Sequence, residues 1–600
     1  MEGRGFSRVL PRKSEFFPEA SFQSWGAYGN ALATIPSRFR DRLFARSSDL
    51  METHAMVRRS QHTMKKNLSW WDLMWFGIGA IVGAGIFVLT GQEAHDTVGP
   101  AVILAYVAAG ISAMLSVFCY TEFAIEIPVA GGSFAYLRVE LGDFVAFIAA
   151  GNIILEYIIG GAAVGRSWTS YFTALCGRSN ADDFRIKTNL ANDFNLLDPI
   201  AVAILLITGL VATWSTRVTS LLNWIASLAN MAIILFVIIA GFVHAEPSNL
   251  IPFLPFGVRG IFKAASVLFF AYIGFDAVAT MAEETKNPGR DIPIGLLGSM
   301  VITTTLYCLM ALTLSMLQPY TLIDPNAAFA LAFRQRAGWK WAQYVVALGA
   351  LKGMTTVILV SAVGQARYVT HIARTHMLPP WFANVNEKTG TPIRATVVMF
   401  LASAIVAFFS SLDVLANLLS ISTLFIFMLV AVALLVRRYY VAGHTDPKSL
   451  RKFQAFLAMI LLSSGATAYY WSTRDGWIGY VITIPIWFLA TLGLAVLVPK
   501  ARQPEIWGCP FVPWIPSLSI IMNVFLLGSI DKLSFVRFAL WTLLILIYYL
   551  LFGLHASYDM ASEMKEKNIE ESKDLEGKSQ IALQSTGSSC KESNTVEGKI

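Results

Sequence analysis

The chain has 600 residues, of which 55% are hydrophobic and 14% are charged, and its mean hydropathy is +0.57. Ordinary soluble domains carry about 25% charged residues, so this composition excludes a soluble protein and indicates an all-α protein that crosses the bilayer many times. The net charge of +7 does not indicate nucleic-acid binding, because the basic residues lie in short pieces between apolar segments, where they orient membrane helices.

The two ends of the chain differ from its apolar middle. Residues 1–67 are polar and basic and contain no apolar segment of the signal-peptide type, so we expect a cytosolic N-terminal tail. The first membrane helix then directs insertion. Residues 558–600 mix Lys, Glu, Ser and Gly, and this composition predicts a disordered cytosolic tail.

Between the tails, apolar runs of roughly 20 residues predict about fourteen membrane spans. A first set of five lies within residues 68–243, a second set of five within 244–438, and four accessory spans within 439–557. Lys and Arg are concentrated in the presumed inner loops, and the positive-inside rule then places both termini in the cytosol. The spans lie near 71–91, 99–125, 144–172, 198–214, 220–243, 261–282, 292–317, 341–368, 393–410, 412–436, 453–471, 476–498, 512–530 and 534–556.

Span 1 contains a run of glycines halfway along its uncharged length, around Gly83-Ala84-Gly85. Each Gly costs about 1 kcal/mol in a helix interior, and lipid offers no water to the backbone groups that a break sets free. We therefore expect a break that lines a protein cavity, where the backbone N–H groups of these three residues bind a carboxylate. The alternative is close helix packing, because Gly79-x-x-x-Gly83 is also a small-residue packing motif.

Span 6 also has a polar middle that contains glycine, at residues 266–276. Two interrupted spans, each the first in a set of five, predict an inverted five-plus-five repeat with a binding site between the halves. An ammonium group would bind the carbonyl oxygens that the two breaks set free. Those carbonyls belong to Ile81, Phe270, Ala271 and Ile273.

Glu156 is the one charged residue in the apolar stretch 147–159. A carboxylate at the centre of a membrane helix costs roughly 2.5–3.5 kcal/mol on insertion scales, and such a residue is treated as functional by default. We expect it to receive a cationic side chain, to accept a proton, or both. The alternative is a protonated glutamic acid that is hydrogen-bonded to a neighbouring helix.

Two other charged residues lie inside predicted spans. Asp276 follows the break in span 6 and either extends the negative field or caps the second half of that span. Lys352 is alone in span 8, three residues before Thr355-Thr356. It relays protons, neutralises a carboxylate, or extends to the membrane interface.

Five sequence motifs together resemble the cationic amino acid transporter family of the amino acid–polyamine–organocation superfamily. The resemblance covers about residues 65–556, and the segment 21–28 is similar to the plant branch of the family. The motifs are GIGAIVGAGIF at 77–87, FAYIGFD at 270–276, EETKNP at 283–288, GQAR at 364–367 and KTGTPI at 388–393.

The resemblance implies a fourteen-helix LeuT-like fold and proton-linked uptake of arginine and lysine. It further implies that the backbone at 83–85 and 270–273 holds the α-amino acid group and that Glu156 matches the third-helix glutamate near the substrate. One position departs from the pattern, because this chain has Asn230 where bacterial relatives have a fifth-helix lysine linked to proton coupling. Asn does not titrate, so our hypothesis is that the ammonium of Lys352 replaces that lysine, with Glu156 as the alternative proton acceptor.

The sequence thus predicts a secondary active transporter, a proton symporter of cationic amino acids that works by alternating access. We expect no enzyme, catalytic residue, cofactor or metal, and no Gly-x-x-x-x-Gly-Lys-Ser/Thr motif for nucleotide binding occurs. The alternatives are the same mechanism with neutral amino acids or polyamines, and a sensor that binds amino acids without net transport. The N-terminal segment favours the plasma membrane, with the vacuolar membrane as the alternative. The expected partners are the substrate, protons and the lipid bilayer, and no nucleic acid.

Overall fold

The structure is a computed structural model. It describes residues 16–43, 45–46, 68–83, 85–129, 131–178, 181–191, 194–214, 216–279, 281–336, 338–386, 391–473 and 476–563. Within these residues the paired strands are limited to one short antiparallel hairpin between spans 3 and 4, Ile186–Lys187 with Leu196–Leu197. The last helical stretch continues to residue 563, and the rest of the tail predicted to be disordered lies outside the described residues.

Each predicted span coincides with an apolar helix or with a pair of helical segments. Eight helices in the described part of the chain are long and apolar enough to cross a membrane, which confirms an all-α polytopic membrane protein. Span 1 consists of Trp70–Ile81 and a continuation at 85–98, and span 6 consists of Gly257–Leu268 and Phe275–Ala279. Spans 2 to 5 are Val102–Glu126, Asp143–Leu175, Pro199–Trp214 and Thr216–Val243, and spans 7 to 10 are Pro288–Leu317, Lys340–Arg374, Ile393–Phe409 and Leu412–Tyr439. Spans 11 to 14 are Pro447–Thr473, Ile478–Leu497, Trp514–Leu527 and Lys532–Tyr548.

Shorter helices lie outside the spans. Two of them, Trp25–Ala33 and Ile35–Leu43, belong to the N-terminal segment, and Gly132–Glu140 lies between spans 2 and 3. Ala328–Gln335 lies between spans 7 and 8.

The packing of the first ten spans repeats when each span is replaced by its counterpart in the other set of five, so that span 1 corresponds to span 6, span 2 to span 7, and so on. Span 1 packs against span 7, and span 6 packs against span 2. In the same way, span 3 packs against spans 4 and 10, and span 8 packs against spans 9 and 5. Spans 2, 3 and 4 also pack against spans 7, 8 and 9, their own counterparts. The two sets of five therefore share one pattern of helix contacts.

The start of span 1 is bonded to the segment that connects spans 6 and 7. Leu68 donates its N–H to the carbonyl of Glu284 at 3.0 Å and accepts a bond from the N–H of Lys286 at 2.9 Å. Span 1 then begins at a capping box, in which the Ser69 N–H and hydroxyl both donate to the Asp72 carboxylate. The bonds of Leu68 hold the start of span 1 against the connection between spans 6 and 7.

Buried ion pairs connect the end of span 10 to span 2 and to the helix that follows it. Arg437 donates to Glu140 at 2.6 Å and to Glu126 at 2.9 Å, while Arg438 donates to Glu122 at 2.8 Å. All five side chains are at most 9% exposed. A buried charge without a partner is strongly destabilising, so these pairs fix the relative positions of the connected helices.

The N-terminal segment 19–46 lies across the ends of several spans. Arg38 pairs with Asp559, which follows span 14, at 3.3 Å, and Arg42 pairs with Asp143 at the start of span 3 at 3.6 Å. The beginning and the end of the described chain therefore lie on the same face of the protein.

Candidate functional site

The first break interrupts span 1 after Ile81. Val82 has extended backbone angles, φ −74° and ψ 100°, and helical structure resumes at Gly85. Ala84, which is part of the predicted site, lies outside the described residues. The first N–H groups of a helix have no partner within it, so the resumed segment directs free donors toward the break.

The glycines on either side of this break are needed because neighbouring atoms approach closely. A Cβ atom on Gly83 would lie 2.8 Å from Cγ2 of Val357 in span 8, and one on Gly85 would lie 2.5 Å from the Cα of Ala271 in span 6. Both distances are shorter than van der Waals contact. The first break is therefore packed between spans 6 and 8.

The second break interrupts span 6 after a short 3₁₀ turn, Phe269–Tyr272. Ile273 is extended, and Gly274 has φ +122°, a conformation that favours glycine. A Cβ atom on Gly274 would also lie 2.5 Å from the carbonyl oxygen of Ala80 in span 1. The backbones of the two breaks thus touch each other directly.

The four carbonyl oxygens predicted to bind an ammonium group all belong to these touching segments. The Tyr307 hydroxyl of span 7 donates to the carbonyls of Ile81 and Ala271, at 3.0 Å each. The carbonyl of Phe270 accepts a bond from the N–H of Ile273 at 3.2 Å. Carbonyl oxygens have two lone pairs, so each of these three retains capacity for a further donor.

Two carboxylates lie together beside the breaks. Glu156 of span 3 lies near the Thr423 hydroxyl of span 10, which donates to the carbonyl of Leu419 at 2.9 Å, and is within electrostatic range of Asp276, which follows the second break. Both carboxylate side chains are partly exposed, although both belong to membrane spans. This pair places two carboxyl groups next to the breaks, and the position of Asp276 in the first turn of Phe275–Ala279 also suits a helix N-terminus.

Aromatic residues surround the carboxylate pair. Tyr120, Tyr157 and Tyr368 are each within electrostatic range of both carboxylates. The rings of Tyr157 and Tyr368 are 5.9 Å apart. Aromatic faces attract cations, so these rings are compatible with a positively charged side chain packed beside them.

Asn230 of span 5 is placed at the first break. Its Nδ2 donates to the carbonyl of Val82 at 3.4 Å, and a Cβ atom on Gly353 of span 8 would lie 3.0 Å from that same nitrogen. The neighbouring Lys352 has an exposed side chain, and the structure does not bring it together with Asn230. Thr355 instead accepts a hydrogen bond from Trp168 of span 3 at 3.1 Å.

Sequence reasoning missed Tyr307, whose hydroxyl binds two site carbonyls, and Thr423, whose hydroxyl lies near Glu156. Thr305 and Thr313 in span 7 donate to a carbonyl of their own helix one turn earlier, and so does Thr423 in span 10. A hydroxyl in an apolar helix is therefore a weak signal, because the helix backbone usually satisfies it.

Comparison with known proteins gives two family matches. The model of the amino acid permease family matches residues 68–463, and a model of the C-terminus of such permeases matches residues 507–557. Three similar proteins come from Arabidopsis thaliana. The chain is 65% identical to cationic amino acid transporter 1 (92% of this chain, 94% of the relative) and 62% identical to cationic amino acid transporter 5 (94% and 99%). It is 55% identical to cationic amino acid transporter 8, vacuolar (93% and 94%).

Proposed function

The chain belongs to the amino acid permease family, and from this membership we propose that it is a secondary active transporter of cationic amino acids such as arginine and lysine. It is an amino acid transporter of the membrane and not an enzyme. The observation that carries the choice of cationic substrates is the carboxylate pair of Glu156 and Asp276 beside the two breaks. The names of the Arabidopsis relatives support the same choice.

The two breaks would bind the part that all amino acids share. The N–H groups at Gly83, Ala84 and Gly85 would hold the substrate carboxylate, because the start of the resumed helix supplies free donors and a partial positive charge. The carbonyls of the touching segments would hold the ammonium group. Backbone groups of this kind do not distinguish one side chain from another.

Selection of a cationic side chain would depend on Glu156 and Asp276. A guanidinium or ammonium group beside them would form ion pairs with the two carboxylates. A neutral side chain would form no ion pair with these carboxyl groups. The proposal therefore predicts discrimination against neutral amino acids at the same backbone site.

Alternating access would use the two sets of five spans as inverted repeats. Five crossings per set place the second set in the opposite orientation to the first, and the shared contact pattern supports their equivalence. The breaks of spans 1 and 6 occupy equivalent positions in the two sets. The site would then lie between the repeats and open to one side at a time.

Proton linkage would depend on a titratable group near the breaks. Asn230 does not titrate, and Glu156 is the leading candidate because it lies beside the proposed substrate side chain. Lys352 is the alternative, although its side chain is exposed in this conformation. We place the protein in the plasma membrane with both termini in the cytosol, and the vacuolar membrane is the alternative suggested by one relative's name.

Uptake of radiolabelled lysine, glutamine and putrescine by transport-deficient cells, with and without a protonophore, tests substrate class and coupling together. We expect lysine uptake that the protonophore abolishes, and little uptake of the other two. Uptake of glutamine or putrescine in place of lysine would overturn the assigned substrate. Saturable lysine binding without accumulation would indicate the sensor alternative.

A further inference from the structure

Tyr307 lies behind the contact between the two breaks, on the side of span 7. Its side chain is fully buried at 0% exposure. Its hydroxyl oxygen lies 3.0 Å from the carbonyl oxygens of Ile81 in span 1 and of Ala271 in span 6, so its single proton is shared between these two acceptors. One side chain therefore joins an oxygen of the first break to an oxygen of the second.

Two other tyrosines hold the ring of Tyr307 in place. The rings of Tyr106 and Tyr272 are each 5.4 Å from it and 6.3 Å from one another. The Tyr106 hydroxyl is bonded to the Thr90 hydroxyl at 2.7 Å, and the Tyr272 hydroxyl donates to the Tyr106 carbonyl at 2.9 Å. Both of these hydroxyls bind groups other than the carbonyls of Ile81 and Ala271, so among the three tyrosines Tyr307 is the one that connects these carbonyls.

Backbone that has left a helix needs another restraint to keep a fixed geometry. Ile81 and Ala271 are at most 3% exposed, so water does not reach their carbonyls freely. The tyrosine donor approaches from span 7 and uses one lone pair of each oxygen, which leaves the second lone pair for a donor on the other side. The hydroxyl thus fixes the distance between the two carbonyls and leaves one lone pair of each oxygen available to a further donor.

We propose that Tyr307 is a positioning residue for the α-ammonium group of the substrate, acting through the carbonyls of Ile81 and Ala271. The proposal rests on the proposed function, since it requires that this backbone binds the amino acid. It adds that spans 1 and 6 are joined at the site and hold the ammonium as one unit. The effect of Tyr307 must then be the same for every substrate, because all of them share the ammonium group.

Tyr307→Phe removes the hydroxyl and keeps the ring. We expect the KM for lysine, arginine and ornithine uptake to rise by the same factor, about tenfold, because buried carbonyls lose their fixed partner. Vmax per transporter at the cell surface should change less than twofold. Tyr106→Phe removes a hydroxyl from the same aromatic group, where it contacts neither carbonyl, and its KM values should stay within twofold of wild type.

Three results would overturn the proposal. They are an unchanged KM in Tyr307→Phe, a loss confined to Vmax, and KM changes that differ between the substrates. A lower melting temperature of purified Tyr307→Phe with an unchanged KM would likewise assign the tyrosine a structural role only. If Tyr307→Phe does not fold, Tyr307→His, whose shorter side chain does not carry a donor to the position of the hydroxyl, is measured in the same way. Its KM values for the three substrates should rise by one common factor, and unchanged or unequal KM values would overturn the proposal.

The wild-type measurement separates this proposal from the proposed function. Absence of lysine uptake by the wild type, at normal surface expression, would overturn the proposed function and the role of Tyr307 together. Normal wild-type uptake with an unchanged KM in Tyr307→Phe would overturn the role of Tyr307 alone.

Discussion

Replacing Glu156 by Gln should make the transporter lose its preference for cationic amino acids. The amide keeps the size of the carboxylate, so the substitution removes the ability to carry a negative charge and changes little else. Two unit charges 4 Å apart interact by about 4 kcal/mol at an effective dielectric constant of 20, and desolvation offsets part of this. Hydrogen bonds to charged groups contribute about 1.5–3 kcal/mol net.

That range corresponds to an increase of about 10- to 100-fold in the KM for lysine uptake. Affinity for a neutral amino acid such as glutamine, measured by inhibition of the remaining uptake, should not fall. Glu93→Gln is the control, because Glu93 is another buried glutamate at 4% exposure, on the 85–98 segment of span 1. It should change the lysine KM by less than threefold. An equal loss for lysine and glutamine, or an unchanged lysine KM, would refute the assignment of Glu156.

The remaining predictions concern the breaks, proton coupling and stability. Gly83→Ala should abolish uptake, and Gly83→Ala/Val357→Ala should restore part of it because the clash is with a side chain. Gly85→Ala should also abolish uptake, and no side-chain truncation should rescue it because its clash is with backbone. Normal uptake by Gly85→Ala would contradict this packing. Lys352→Met, assayed for uptake against external pH, tests the alternative proton-linked group: we expect an unchanged pH dependence if Glu156 accepts the proton, and a flattened one would assign that role to the lysine. Arg437→Met removes the buried guanidinium that pairs with Glu126 and Glu140 and should destabilise the purified protein by about 3–5 kcal/mol. A melting temperature equal to that of the wild type would show that these ion pairs do not stabilise the fold.

The spans and the two breaks could be predicted from the sequence because both depend on local properties. The length of an apolar segment predicts a membrane helix, and glycines in its middle indicate where the helical conformation is interrupted. Glu156 could be found for the same reason, since a single charge in an apolar run is costly wherever the helix faces. None of these arguments needs knowledge of a neighbouring helix.

The contacts around the breaks could not be predicted in that way. Tyr307 reaches two carbonyls that are 226 and 36 residues away in the chain, and this depends on how span 7 is rotated about its own axis. Hydropathy does not determine the rotation of a helix that is apolar on all sides. The same limit applies to Lys352, whose exposed side chain points differently from the adjacent Gly353, which packs against Asn230.

The most direct test of the account is lysine uptake by the purified protein in liposomes with an imposed proton gradient, acidic on the outside. We predict that lysine accumulates inside above its external concentration and that a protonophore abolishes the accumulation. The Glu156→Gln protein should show neither effect at lysine concentrations that saturate the wild type. Binding of lysine without accumulation, or accumulation that is the same with and without the proton gradient, would contradict proton-linked transport at this site.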